Sequence, residues 1–226
     1  MKKQLIKGLL LFLCMLYIPA AFSQKHYRPE ISIGAKFGTN LSNTTFVPKV
    51  KESLLLGYMG GLSFRYIEEK YFGFILEANF SQQGWKENFE TEPYSYTRRM
   101  NYVEIPFMSH IFFGKKAVRV FFNIGPQVGF FVSDSYKSNF DITAPPPDIE
   151  LSRSVEQYTL PITRKVDYGI DGGAGLEIRA GRNSFMLEGR YYFGLGDFFN
   201  NRKKDYFATS SNKNILIALS YMFRIK

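Results

Sequence analysis

Between Tyr96 and Ser135 the chain holds a single alternation long enough to limit what it can fold into. The first arm reads Tyr102-Val103-Glu104-Ile105-Pro106-Phe107-Met108-Ser109-His110-Ile111-Phe112-Phe113, and the polar turn Gly114-Lys115-Lys116 follows. On the second arm Val118, Val120, Phe122, Ile124, Val128, Phe130 and Val132 share one face, and Arg119, Asn123, Gln127 and Ser133 share the other with Phe121 and Phe131. A period of two marks a strand whose faces meet different surroundings. Arms of roughly ten residues or more, apolar on one face and polar on the other, have the length that a β-barrel needs to cross a bilayer.

The rest of the chain repeats this hairpin. Strands are expected at about Ile31–Ser42, Leu54–Glu68, Tyr71–Trp85, Val166–Ala180, Ser184–Asp197 and Asn214–Arg224, which makes eight with the central pair. The turns after the second, fourth and sixth strands are tight. Long connections follow the first, third, fifth and seventh, and the longest, Tyr136 to about Lys165, carries Pro145-Pro146-Pro147. An even strand number with alternating connections puts both chain ends on the tight-turn side, as in a bacterial outer-membrane barrel with periplasmic turns and extracellular loops. The expected fold is all-β, an eight-stranded antiparallel up-and-down transmembrane β-barrel. A soluble eight-stranded barrel would turn the large apolar side chains inward, but a barrel of this size has an interior only just filled by side chains. Gly, Ser and compact charged groups suit that interior better.

Composition enters at two points. Aromatic residues make up 17% of the chain, almost all Phe (23) and Tyr (15). The formal charge is +9, yet the basic residues are scattered with no basic helix or zinc spacing, so no nucleic-acid partner is expected. Three of the lysines, Lys2, Lys3 and Lys7, precede an apolar run, Leu9–Ile18, and small residues at Ala21 and Ser23 complete a secretory signal peptide over residues 1–23. Its loss takes the charge from +9 to about +6 and removes the one cysteine, Cys14. Residues 24–30 form a short stretch before the barrel domain, 31–226.

The motifs Asn101-Tyr102-Val103-Glu104-Ile105-Pro106 and Asn123-Ile124-Gly125-Pro126-Gln127-Val128-Gly129 resemble the PorT-like family of outer-membrane β-barrel proteins. Further similarity lies at Gly34-Ala35-Lys36-Phe37-Gly38, Glu77-Ala78-Asn79-Phe80-Ser81-Gln82-Gln83-Gly84, Asp171-Gly172-Gly173-Ala174-Gly175-Leu176-Glu177 and Leu219-Ser220-Tyr221-Met222-Phe223. The resemblance implies an eight-stranded barrel in the outer membrane of a Gram-negative bacterium. The family's namesake takes part in type IX secretion. Here Arg224-Ile225-Lys226 follow the last aromatic residue, Phe223, where such barrels often end on it.

Candidate sites concentrate on the polar faces. Lys36, Arg65, Arg119, Arg179 and Arg190 share those faces with Glu77, Glu104, Asp167, Asp171, Glu177, Glu188 and His110. An unpaired buried charge costs several kcal/mol, so near balance of sign implies a pairing network that plugs the lumen. Glu77, Glu104 and Arg190 fall at similar depth counted from the nearest tight turns. His110, near a tight turn, reads as packed rather than catalytic, and His26 precedes the barrel. No catalytic residue, metal site or cofactor is expected. Tyr58, Tyr66, Trp85, Tyr191 and Tyr221 are read as an interfacial girdle or barrel wall. Expected surroundings are outer-membrane lipid and lipopolysaccharide; Arg202-Lys203-Lys204 reads as a solvated charge run, with contact to lipopolysaccharide phosphates as the alternative. The Pro145–Pro147 loop is either a surface for protein partners or an ordinary solvated loop. The expected function is a non-enzymatic accessory or scaffold role in secretion or cell-surface assembly. An adhesin or host-interaction barrel, and a lipid-modifying enzyme, are the alternatives.

Overall fold

The computed structural model describes residues 29–89, 93–115 and 117–226, so the expected signal peptide and His26 lie outside the described residues. Among the described residues nine strands occur: β1 (Glu30–Val47), β2 (Glu52–Ser53), β3 (Leu55–Ile67), β4 (Phe72–Glu87), β5 (Tyr96–Gly114), β6 (Val118–Ser138), β7 (Val166–Ala180), β8 (Asn183–Gly194) and β9 (Thr209–Arg224). Every long strand pairs antiparallel with its neighbours in sequence. β4 pairs with β5 and β1 with β9, so eight long strands close into a ring without a free edge. The ninth, two-residue β2, pairs with the outer end of β4 through Glu52 and Glu87.

Alternation decides which way each side chain points. Ile33, Phe37, Leu62, Phe64, Phe80, Phe107, Ile124, Phe130, Leu176, Phe185 and Leu219 stand outward and exposed, while the intervening polar residues are buried in the lumen. An outward apolar surface this continuous is what lipid requires, and closure satisfies the backbone hydrogen bonds that lipid leaves unmet. Among the described residues, no helix is long and apolar enough to cross a membrane.

The two resembling motifs face one another. Pairing between β5 and β6 lapses between Pro106–Gln127 and Ser109–Ile124, where Pro126 has no N–H to give. A Cβ on Gly125 would stand 2.0 Å from the Phe107 carbonyl oxygen, so the close approach there needs glycine. Gly84 in β4 has φ +143°, and its carbonyl and N–H both bond the Ser42 hydroxyl at 3.0 Å.

Several strands outrun their expected ends. β1 continues to Val47, β6 to Ser138, and β9 begins at Thr209. Asn43, Thr44 and Thr45 pair with Lys213, Asn212 and Ser211. These polar extensions hold their ladders beyond the apolar belt, where alternation of hydrophobicity no longer marks a strand. β8 is shorter than expected and ends at Gly194. The long connection after β6 is not wholly irregular: it contains helices α1 (Pro147–Ser152) and α2 (Glu156–Thr159), the first starting on a proline whose missing N–H costs nothing there.

Candidate functional site

The lumen is layered. At mid-height Lys36 Nζ bonds Glu188 at 2.8 Å and also meets Glu77, while Arg190 reaches Glu188 at 2.7 Å, Glu77 at 3.1 Å and Asp171 at 3.1 Å. Asn79 donates to Glu77 at 2.9 Å, and Asn123 to the second oxygen of Glu188 at 2.5 Å. Two cations from β1 and β8 thus hold three carboxylates from β4, β7 and β8. All are buried, in the low-dielectric setting where attraction between opposite charges is strong and a missing partner is costly.

Glu104 departs from the expected pairing. Its carboxyl is in the same layer and 6% exposed, yet no cation lies within ion-pair distance and Oε1 has no hydrogen-bond partner among the described residues. Arg190 is pulled to the β4, β7 and β8 carboxylates instead, on the far side of a cavity of about 10 Å³ lined by both residues with Asn40, Asn79 and Asn214. That volume is about enough for one water.

Toward the tight turns, Arg65 bonds Glu177 at 2.8 Å inside an apolar layer of Ile67, Ile75, Met108, Phe112, Phe121, Met186 and Met222. His110 is fully buried between Phe112 and Phe121, with Nδ1 2.7 Å from the Asn123 amide oxygen. Arg119 and Arg179 do not join the mid-height layer. Arg119 lies 3.9 Å from Glu177 and over the Phe112 ring, and Arg179 bonds Glu30 at 2.7 Å at the barrel mouth. Asp167 is placed higher, accepting from Asn212 at 2.9 Å.

At the other end the loops fold over the lumen. Trp85 is fully buried in a cluster with Phe46, Phe89, Tyr96, Ile149, Tyr158, Phe198, Phe199 and Phe207. This corrects the girdle reading for Trp85: it points inward at the top of β4, stacked on Phe198 with ring centres 5.7 Å apart. Tyr58, Tyr191 and Tyr221 do stand on the outer wall, with Tyr66 half-buried. The α1–α2 segment is the lid of this cap. Glu87 at the end of β4 accepts from Gln157 and Tyr158, each at 2.8 Å. Arg98 donates to Asp134 at 2.7 Å and to the Leu160 carbonyl at 2.7 Å. Pro145 and Pro146 are half-buried rather than loose, while Pro147 is exposed. Burial pushes the Glu87 carboxyl up to about 7 despite its two hydrogen bonds and the Arg153 guanidinium 4.0 Å away, and burial pushes that of its strand partner Glu52 up to about 8. Sequence reasoning missed this cap. Its one readable signal is Phe198-Phe199, two adjacent aromatics where no strand alternation explains them.

Among the described residues, a stack of ion pairs, an apolar layer and a covered outer end leave no open passage. The purified protein is therefore expected to give no steady conductance in planar bilayers, and a stable ion-selective current would contradict this arrangement. Among the described residues no three His, Cys, Asp or Glu side chains gather as metal ligands.

The sequence profile of the outer membrane protein β-barrel domain matches residues 22–200. Solved structures that share the fold include the following two. Neisserial surface protein A aligns with 87% of this chain and 99% of its own at 9% identity and TM-score 0.51. The outer membrane protein OprG from Pseudomonas aeruginosa aligns with 88% of this chain and 97% of its own at 11% identity and TM-score 0.54. A comparison with curated protein sequences gives no significant match.

Proposed function

Since the chain belongs to the outer membrane protein β-barrel family, we propose that it is a non-conducting, non-enzymatic barrel of the outer membrane that acts through its loop cap as an accessory scaffold in protein secretion or cell-surface assembly. The observation that carries this reading is the cap itself. Flexible loops need no aromatic interior, whereas a folded head with Trp85 and Tyr158 at its centre holds a fixed outer surface. That surface presents Leu151, 89% exposed, with Tyr206 and the basic run Arg202-Lys203-Lys204. Exposed Tyr206 and Arg202 are of the aromatic and arginine types that are enriched in protein-binding surfaces. The basic run also suits lipopolysaccharide phosphates in the surrounding leaflet. The PorT-like resemblance makes secretion the favoured setting.

In this proposal the cap faces the cell exterior. An epitope inserted between Thr143 and Ala144, both exposed, is expected to be labelled on intact cells, while one beside Lys115 is labelled only after permeabilisation. The reverse pattern rejects the orientation. Deleting the protein should retain surface cargo inside the cell and leave the lipid A profile unchanged. Normal secretion with altered lipid A would favour a lipid-modifying enzyme instead. Normal secretion with lost attachment to host cells would favour an adhesin.

A further inference from the structure

Four buried oxygen atoms around the small mid-height cavity have no hydrogen-bond partner: Asn79 Oδ1, Glu104 Oε1, Asp171 Oδ1 and Asn214 Oδ1. Strand register explains how they meet. Asn79 and Glu104 stand opposite one another on β4 and β5, while Asp171 and Asn214 flank Tyr192 across β7, β8 and β9. Alternation turns both sets inward, and ring closure brings them to one space. Other bonds fix which atoms are left over. Asn79 and Asn214 spend their amide N–H groups on Glu77 and Gln83, which leaves the carbonyl oxygens free. Asp171 gives its other oxygen to Arg190 at 3.1 Å. None of the four residues is more than 6% exposed.

Charge points the same way. Among the described residues this layer holds two cations, Lys36 and Arg190, and four carboxylates, Glu77, Glu104, Asp171 and Glu188. Two negative charges are left over in a buried setting, where a surplus is costly. Arg190 also borders the cavity, but its charge is already shared among Glu77, Asp171 and Glu188.

We propose that these oxygens bind one calcium ion inside the barrel. A proton on Glu104 would serve a single acceptor, and one water would supply two hydrogens to four oxygens. A divalent cation meets all four and cancels both surplus charges. Carboxylates and amide carbonyls are the ligands calcium takes, six to eight at a time, and Asn40 and Gln127 on the same cavity wall can bring the number to six. A volume of about 10 Å³ admits one water-sized body. Magnesium, which keeps several of its waters, does not fit there. The ion pairs and apolar layer below and the cap above close the lumen, so the ion enters as the barrel folds.

The full chain is therefore refolded into uncharged detergent with calcium or with a chelator, desalted, and assayed for bound metal and for its unfolding midpoint by heat-dependent gel migration. One calcium per chain is expected, with a higher midpoint than in chelator, because a ligand that binds only the folded state stabilises it. Glu104→Gln keeps the shape and removes one ligand charge. It should weaken calcium binding by roughly tenfold or more, since even indirect support of a metal ligand is worth about 10–100-fold. Its midpoint should no longer respond to calcium. Glu69→Gln, at an exposed turn, removes the same charge and should behave as the unaltered chain does. Gel migration in chelator shows whether each variant folds, and the metal content of the unaltered chain decides the matter even where one does not. Absence of bound calcium overturns the proposal and leaves Glu104 to a proton or a water. Equal stabilisation by magnesium, or by sodium at the same ionic strength, overturns it as general screening. Undiminished calcium in folded Glu104→Gln overturns it by placing the ion elsewhere.

Discussion

Arg190→Ala is expected to destabilise the barrel by about 3–5 kcal/mol, the cost of leaving buried charges without their partner. The guanidinium contacts Glu77, Asp171 and Glu188. Without it Lys36 alone faces them, and Asp171 loses its ion pair. The measurement is the unfolding midpoint in detergent, followed by the shift in gel mobility on heating. A loss below about 1 kcal/mol, the size of an exposed pair, would show that water enters this layer and that the plug is not dry. Glu104→Gln, measured in chelator, supplies the contrast. Its carboxyl has no cation to lose and leaves Oε1 without a partner, so the substitution should leave the midpoint unchanged or raise it. Removing the shared cation of the network and neutralising an acid with no ion pair are different experiments, although both positions read alike as inward-facing charges in the sequence.

The second large effect concerns the cap. Trp85→Ala removes the ring that Phe46, Tyr96, Phe198 and Phe199 pack against. A buried Trp truncation costs about 3–5 kcal/mol, and here the loss falls on the lid rather than on the strand ladder. Protease cleavage within residues 139–165 should rise steeply while the membrane-protected fragments stay intact. Unchanged cleavage would mean that the lid is held without its aromatic centre. The cap should also respond to pH. The Glu87 and Glu52 carboxyls lie above the usual range in the folded chain, at about 7 and about 8. Between the unfolded value of 4.5 and those values the folded cap binds more protons than the open one, so its stability falls as pH rises. The hydrogen-exchange protection factor of residues 147–159, which divides out the intrinsic rise of exchange with pH, should therefore be highest near pH 5 and fall toward pH 8, and Glu87→Gln should flatten that profile.

How much of this could be read from residues alone differs between the wall and the two ends. Alternation determined the barrel by itself. Ile33, Phe64, Phe122 and Ile170 against Ser32, Arg65, Asn123 and Asp171 set inside and outside, because a strand has only two faces and a one-residue slip would put charge into lipid. Tight turns beside Glu69, Lys115 and Arg182 then gave strand order and left closure as the one way to satisfy both edges. Which charges meet was decided only in three dimensions. Glu104 and Glu77 look equivalent in depth and type, yet the cross-lumen distances give Arg190 to one and withhold it from the other. The cap was likewise out of reach, since Trp85, Tyr158 and Phe198 lie far apart in the chain and their packing follows no period. Local periodicity encodes which side of a surface a residue occupies; which residue it meets across a closed ring depends on strand register and ring closure, properties of the whole chain at once.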